Sequence, residues 1–196
     1  LFILKNAKGM EVAVTNYGCA ILSIMVPDKN GKYANVILGH DSIDHVINSP
    51  EPFLSTTIGR YGNRIAKGKF TLFGEEHELT INNGPNSLHG GPTGYHCYVL
   101  NKMESGSLDL AATCKDPESG RIMEVYTTEA GVQLYTGNWL NGFEGAHGAT
   151  FPARSAICFE AQCFPDTPNK PHFPSATLLP GDEYQQITVY KFTVEE

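Results

Sequence analysis

The 196-residue sequence has no apolar run long enough, at about 18 residues, to read as a transmembrane helix. It has no block of basic residues. Lys and Arg total 14 against 21 Asp and Glu, a formal charge of −7. Nucleic acid and anionic membrane surfaces are therefore poor partners, and the acidity mainly favours solubility. The five cysteines (Cys19, Cys97, Cys114, Cys158, Cys163) form no C-x-x-C pair, which argues against a zinc ribbon or a thioredoxin-like motif. An odd number at irregular spacing reads as buried free thiols in a reducing compartment. His40, His45, His77 and His147 have no companions at metal-ligand spacing, so no metal site is expected. No strand–GxGxxG–helix context offers a phosphate cradle. The start, LFILKNAKGMEVAV, lacks a charged n-region and a long apolar core, so no signal peptide is visible and a cytoplasmic location is expected. The absence of an initiating Met leaves room for a processed leader.

Helical periodicity is also scarce. Only Asp41–Asn48 suggests a short helix. What the chain has instead is alternation, broken by 20 glycines and 12 prolines. The stretches 10–16, 20–27, 69–73, 77–81, 107–113, 121–128, 132–138, 157–164 and 186–192 all read as strands. Gly74-Glu75-Glu76 is the expected hairpin turn between the third and fourth of these. Many short strands, no repeat and no linker point to one all-β domain, an antiparallel sandwich or barrel.

Four stretches depart from core-and-turn logic. GRYGNRIAKG (59–68) clusters Arg60, Asn63 and Arg64 between glycines. Its guanidinium forks and amide suit polyhydroxy ligands as well as carboxylates. Spacing alone equally allows a solvated turn. NNGPNSLHGG (82–91) places His89 before two glycines, where its ring is accessible for proton exchange or structural use. ICFEAQCF (157–164) puts Glu160 and Gln162 on one face, flanked by Cys158 and Phe164. Burial there would raise the carboxyl pKa and make Glu160 a better general base than a free glutamate. The competing reading is the solvated side of an edge strand. FPDTPNKPHFPS (164–175) follows at once, with four prolines and an exposed His172. It is a rigid loop suited to shaping a pocket beside Glu160.

Together these stretches resemble the aldose 1-epimerase (galactose mutarotase) family. The likeness rests on GRYGNRIAKGKFTLFGEEHELTINNGPNSLHGG (59–91) and ICFEAQCFPDTPNKPHFPSATLLPGDEYQQITVYKF (157–192). LKNAKGMEVAVTNYGCAILSIMVPDKNGKYANVILGHDS (4–42) and SGRIMEVYTTEAGVQLYTGNWL (119–140) extend it over nearly the whole chain. The resemblance implies a large antiparallel supersandwich that interconverts the α and β anomers of free hexoses such as galactose and glucose. It implies no cofactor or metal, and an aldose as the small-molecule partner. A base takes the anomeric hydroxyl proton and an acid protonates the ring oxygen. The ring opens, rotates and recloses. By motif, Glu160 matches the base. Asn63 and Arg64 match the pair lining the sugar site, His89 matches the sugar-contacting His of LHGG, and Gln162 takes a supporting place.

The sequence also departs from that family. LHGGPTG (88–94) runs almost directly into YHCYVLNK (95–102), where the family has a long intervening segment. That segment carries a TNHSYFNL-like motif whose His is the general acid, and this chain has no such motif. An Asp that grips sugar hydroxyls, in a GYDHCYVLN-like stretch, is also missing. The expected junction lies near 94–96. Either the natural molecule carries a segment that this sequence omits, or the domain is truncated. A truncated sandwich would be an impaired, sugar-binding remnant. His96 stands beside the junction, and it is not expected to replace the acid. The preferred aldose and the oligomeric state cannot be read from the sequence.

Overall fold

Alternation is realised as strands almost throughout the computed structural model, which describes residues 1–95 and 108–195. The first sheet is a meander of β1 (Phe2–Lys5), β2 (Glu11–Val14), β3 (Ile21–Pro27) and β4 (Tyr33–Asn35), all antiparallel. In β3, Ile24 and Val26 are buried two residues apart, as the period of a one-sided strand requires. A single turn of helix, α1 (Ile43–Ile47), follows. The Ser42 hydroxyl caps it by accepting from the His45 N–H at 3.2 Å.

Short ladders come next: β5 (Arg64–Ile65), β6 (Lys69–Leu72), β7 (Glu75–Glu78) and β8 (Ser87–Leu88). β5 pairs with β8, and β6 with β7. The β6–β7 hairpin corrects the expected turn. Leu72 pairs with Glu75, so the turn is Phe73-Gly74, and the second strand begins at Glu75 rather than His77. Phe73 and Gly74 have φ of 52° and 86°. Two left-handed residues give the two-residue loop whose twist matches the strands. Phe73 is costly there, so composition alone pointed to the residues after it.

Beyond residue 108 the chain forms β9 (Asp109–Lys115), β10 (Arg121–Thr127), β11 (Gly131–Tyr135), β12 (Phe143–Glu144), β13 (Thr150–Phe151), β14 (Cys158–Gln162) and β15 (Thr188–Val194). β10 is the centre of a three-stranded sheet between β15 and β9, and its Val125 is fully buried. β11 pairs with β14, and β12 with β13. Arg121, at the start of β10, joins two sheets. Its guanidinium donates to the carbonyls of Val26 at 3.3 Å and Lys32 at 3.0 Å. Tyr190 of β15 donates to the Phe159 carbonyl at 3.1 Å and so backs β14. The described cysteines, Cys19, Cys114, Cys158 and Cys163, are unpaired but only part-buried, less enclosed than expected. Cys97 lies outside the described residues. No helix among those described is long and apolar enough to cross a membrane.

The core is thin for this mass. The chain exposes 12318 Å². The usual surface scaling gives about 9,100 Å² for a folded monomer of 21.4 kDa. On the three-stranded sheet Leu110, Val189 and Tyr190 remain exposed.

Candidate functional site

Pairing of β11 with β14 sets Gln133 directly opposite Glu160. Residues facing each other across a ladder share a face of the sheet. Gln133 then reaches the preceding half of the chain: its Oε1 accepts from Asn63 Nδ2 at 3.5 Å. Asn63 is buried and left-handed, with φ of 59°. Its N–H donates to His89 Nδ1 at 3.1 Å, and the His89 N–H donates back to the Asn63 carbonyl at 3.0 Å. Glu160, Gln133, Asn63 and His89 therefore form one continuous set, drawn from both halves of the sequence.

The bond from Asn63 fixes the chemistry of His89. Nδ1 accepts from a backbone amide, so that nitrogen carries no proton and the ring proton sits on Nε2. The Phe53 ring packs beside the imidazole, centroids 5.0 Å apart. His89 is thus a positioned hydrogen-bond donor. Its loop is brought close by Gly90, whose φ is +83°. A Cβ at Gly90 would stand 2.0 Å from the Gly59 carbonyl oxygen, so only glycine fits there.

Arg64 begins β5, with its N–H bonded to the Asn63 Oδ1 at 2.9 Å. Its Nε donates to Asn83 Oδ1 at 2.9 Å, which holds the exposed guanidinium. The charge acts on Glu160 without ion-pair contact. Burial pushes the Glu160 carboxyl above the ordinary glutamate range, and the Arg64 charge draws it part of the way back. The same burial, together with the charges of Glu160 and Glu51, raises the Cys158 thiol to about 11. That thiol is protonated and inert at neutral pH. Tyr190 is also raised, by burial and then by Cys158 and Glu160.

Gln162 lies one step further along the same face as Glu160. Its Oε1 would sit 3.3 Å from a Cβ placed on Gly62, beside Asn63. Its Nε2 is buried and without a partner among the described residues. A buried donor left unpaired is costly unless something else accepts from it. All five residues of β14 are half-buried, which is neither of the two faces the alternation suggested. His172 is exposed, against Phe173, and takes no part in this cluster.

All five residues expected from the sequence thus fall in one region. Gln133 was missed. Its strand was legible, but its neighbour across the ladder was not, because register between distant strands leaves no mark in either one. His96 lies outside the described residues, so the expected junction near 94–96 is described only up to Tyr95. No group of three or more His, Cys, Asp or Glu among the described residues could hold a metal ion. A separate concavity of about 370 Å³ is lined by Asp109, Thr127, Glu129 and Gly131. It does not include Glu160, Asn63 or His89. We place the site at the latter because convergent polar groups, rather than volume, define the chemistry.

The antiparallel ladders thus gather a carboxyl, amides, an imidazole and a guanidinium in one region. The chain belongs to the aldose 1-epimerase family, whose sequence profile matches residues 1–96 and, separately, 95–191. Galactose mutarotase from Bos taurus is 27% identical over 314 positions, covering 94% of this chain and 92% of that protein. Since 314 exceeds the 196 residues present, that alignment leaves over a hundred positions of the bovine protein unmatched. Aldose 1-epimerase of Escherichia coli K12 is 38% identical over 95 residues, 48% of this chain and 27% of that one. The crystal structure of a GalM/aldose epimerase homologue from C. elegans superposes with a TM-score of 0.87. It has 19% identity and covers 100% of this chain and 99% of that chain, a likeness of fold.

Proposed function

We propose that this protein interconverts the α and β anomers of free hexoses such as galactose and glucose. The observation that carries the proposal is the Glu160–Gln133–Asn63–His89 set, with Glu160 made more basic by burial. In this reading Glu160 accepts the proton of the anomeric hydroxyl. A raised carboxyl pKa favours that transfer. His89 Nε2–H and the Arg64 guanidinium donate to sugar oxygens. Asn63 and Gln133 supply amides to hydroxyls, and Gln162 offers the unpaired Nε2 donor. No side chain in the set is a strong acid. A neutral imidazole with Nδ1 tied to an amide donates a hydrogen bond but does not readily hand over a proton.

We also infer that the chain is one domain, 1–196, from which an internal segment is absent near 94–96. Two family matches that meet at residues 95 and 96 support this, as does the surplus of exposed surface. A missing general acid costs about 100- to 10,000-fold in rate. The expected activity is therefore measurable but low. Polarimetry on freshly dissolved α-glucose and α-galactose tests the reading. At micromolar protein the rotation should relax faster than in buffer alone. Relaxation at the buffer rate with both sugars would overturn it.

A further inference from the structure

The proline-rich loop after β14 folds back onto β5, where Asp166 contributes both its N–H and its carboxylate. Asp166 is left-handed, with φ of 59° and ψ of 22°. That conformation turns its N–H to the Arg64 carbonyl at 2.8 Å. Its Oδ1 accepts from the Ala66 N–H at 3.0 Å. Asn169 Nδ2 braces that oxygen at 2.7 Å and also donates to the Lys69 carbonyl at 2.9 Å. Lys170 Nζ stands 3.4 Å from Oδ2. Upstream, the Tyr61 hydroxyl donates to the Phe164 carbonyl at 2.6 Å and accepts from the Thr167 N–H at 2.8 Å.

The need for such contacts follows from the sheet. β5 is two residues long and pairs on one side only, through Arg64–Leu88 and Ile65–Ser87. A two-residue ladder cannot by itself fix where Arg64 stands relative to a residue on another sheet. On the other side of β5, the Asp166 N–H and carboxylate occupy the places of a ladder donor and acceptor. They span Arg64 to Ala66, six residues after Glu160 in the same chain segment.

We propose that Asp166 is a positioning residue: it acts as a one-residue substitute for a neighbouring strand and fixes Arg64 at a set distance from Glu160. The proposal rests on the reading of Glu160 and Arg64 as site residues. It goes beyond that reading by assigning the loop's carboxylate a part in it.

The test compares the titration of the Glu160 carboxyl, followed by ¹³C NMR and assigned with Glu160→Gln, in four folded proteins. Arg64→Ala should raise the midpoint by about half a unit to one unit, the size of a nearby charge seen through solvent. Asp166→Gly keeps the left-handed backbone and the N–H but removes the carboxylate. It should move the midpoint upward by at least about half the Arg64→Ala shift. Asp166→Asn keeps the Oδ1 acceptor and should titrate close to wild type. The sign separates positioning from simple charge loss. Deleting a negative charge would lower the Glu160 midpoint, and would do so equally in the Gly and Asn variants. If Asp166→Gly does not fold, Asn169→Ala should show the same upward shift in smaller measure. Wild-type titration in Asp166→Gly, or in its substitute Asn169→Ala, overturns the proposal. So does an unshifted Arg64→Ala. A wild-type chain with no mutarotase activity would sink the functional reading, while the titrations still decide the role of Asp166.

Discussion

A carboxylate that must accept a proton gains from being kept away from water, and the fold loses stability by doing so. Glu160 is raised by burial, so the folded state favours its protonated form more than the unfolded chain does. Its contribution to stability is therefore greatest below the unfolded glutamate pKa, and it declines as pH rises through the folded value. Glu160→Gln should accordingly raise the melting midpoint at pH 7, by about 2–4 °C per kcal/mol released. It should change the midpoint little below about pH 4, where the unfolded group is protonated too. Thermal melts at the two pH values check this. Asp166 has the opposite sign. Burial alone would raise it, but the bonds from Ala66, Asn169 and Lys170 outweigh that and hold it low. Its stabilising part is present at neutral pH and is lost as pH falls through its depressed value. Gln133 is exposed, so Gln133→Ala should leave the melting midpoint nearly unchanged. It should lower kcat/KM for galactose about tenfold, near the upper range for one hydrogen bond. Glu160 was legible as a polar residue on an apolar strand. Gln133 was not, since nothing about a lone glutamine in VQLYTGN says what lies opposite.

Among elements, the long strands were the readable ones. The stretch 121–128 became Arg121–Thr127, and 20–27 became Ile21–Pro27. The shortest ladders were not readable, and one of them, β5–β8, carries part of the site. β5, β8, β12 and β13 have two residues each, too few for any alternation to appear. Their pairing is imposed by contacts elsewhere. For His89 that contact is the approach of Gly90 to Gly59, so substitution at Gly90 should act through geometry rather than lost chemistry. Gly90→Ala sets a methyl against a carbonyl in a backbone region that costs side chains about 1–3 kcal/mol. Its urea midpoint should fall clearly, and the residual activity per folded molecule should fall with it as His89 is displaced. A variant with wild-type midpoint and activity would show that this loop yields without consequence.

Across the whole molecule, the sequence pointed to an all-β chain, and the structure shows how much of its sheet surface stays uncovered. A complete sandwich covers both faces of its central strands. Here only Val125 and Thr127 of β10 are buried, and exposed Leu110, Val189 and Tyr190 remain on its sheet. Exposed apolar patches on native sheets bind hydrophobic dyes and other copies of the chain. The folded protein should therefore enhance ANS fluorescence at neutral pH, and its apparent mass by light scattering should rise with concentration. A dye-silent monomer across the accessible range would show that this surface is closed in solution.

The central claim is that Glu160 is the proton acceptor of an anomer-interconverting site, and polarimetry of α-galactose with wild-type and Glu160→Gln protein tests it most directly. The wild type should speed the decay of rotation, more so as pH rises through the Glu160 midpoint, while the folded glutamine variant should leave the decay at the rate of buffer. Equal acceleration by the two proteins would contradict the account.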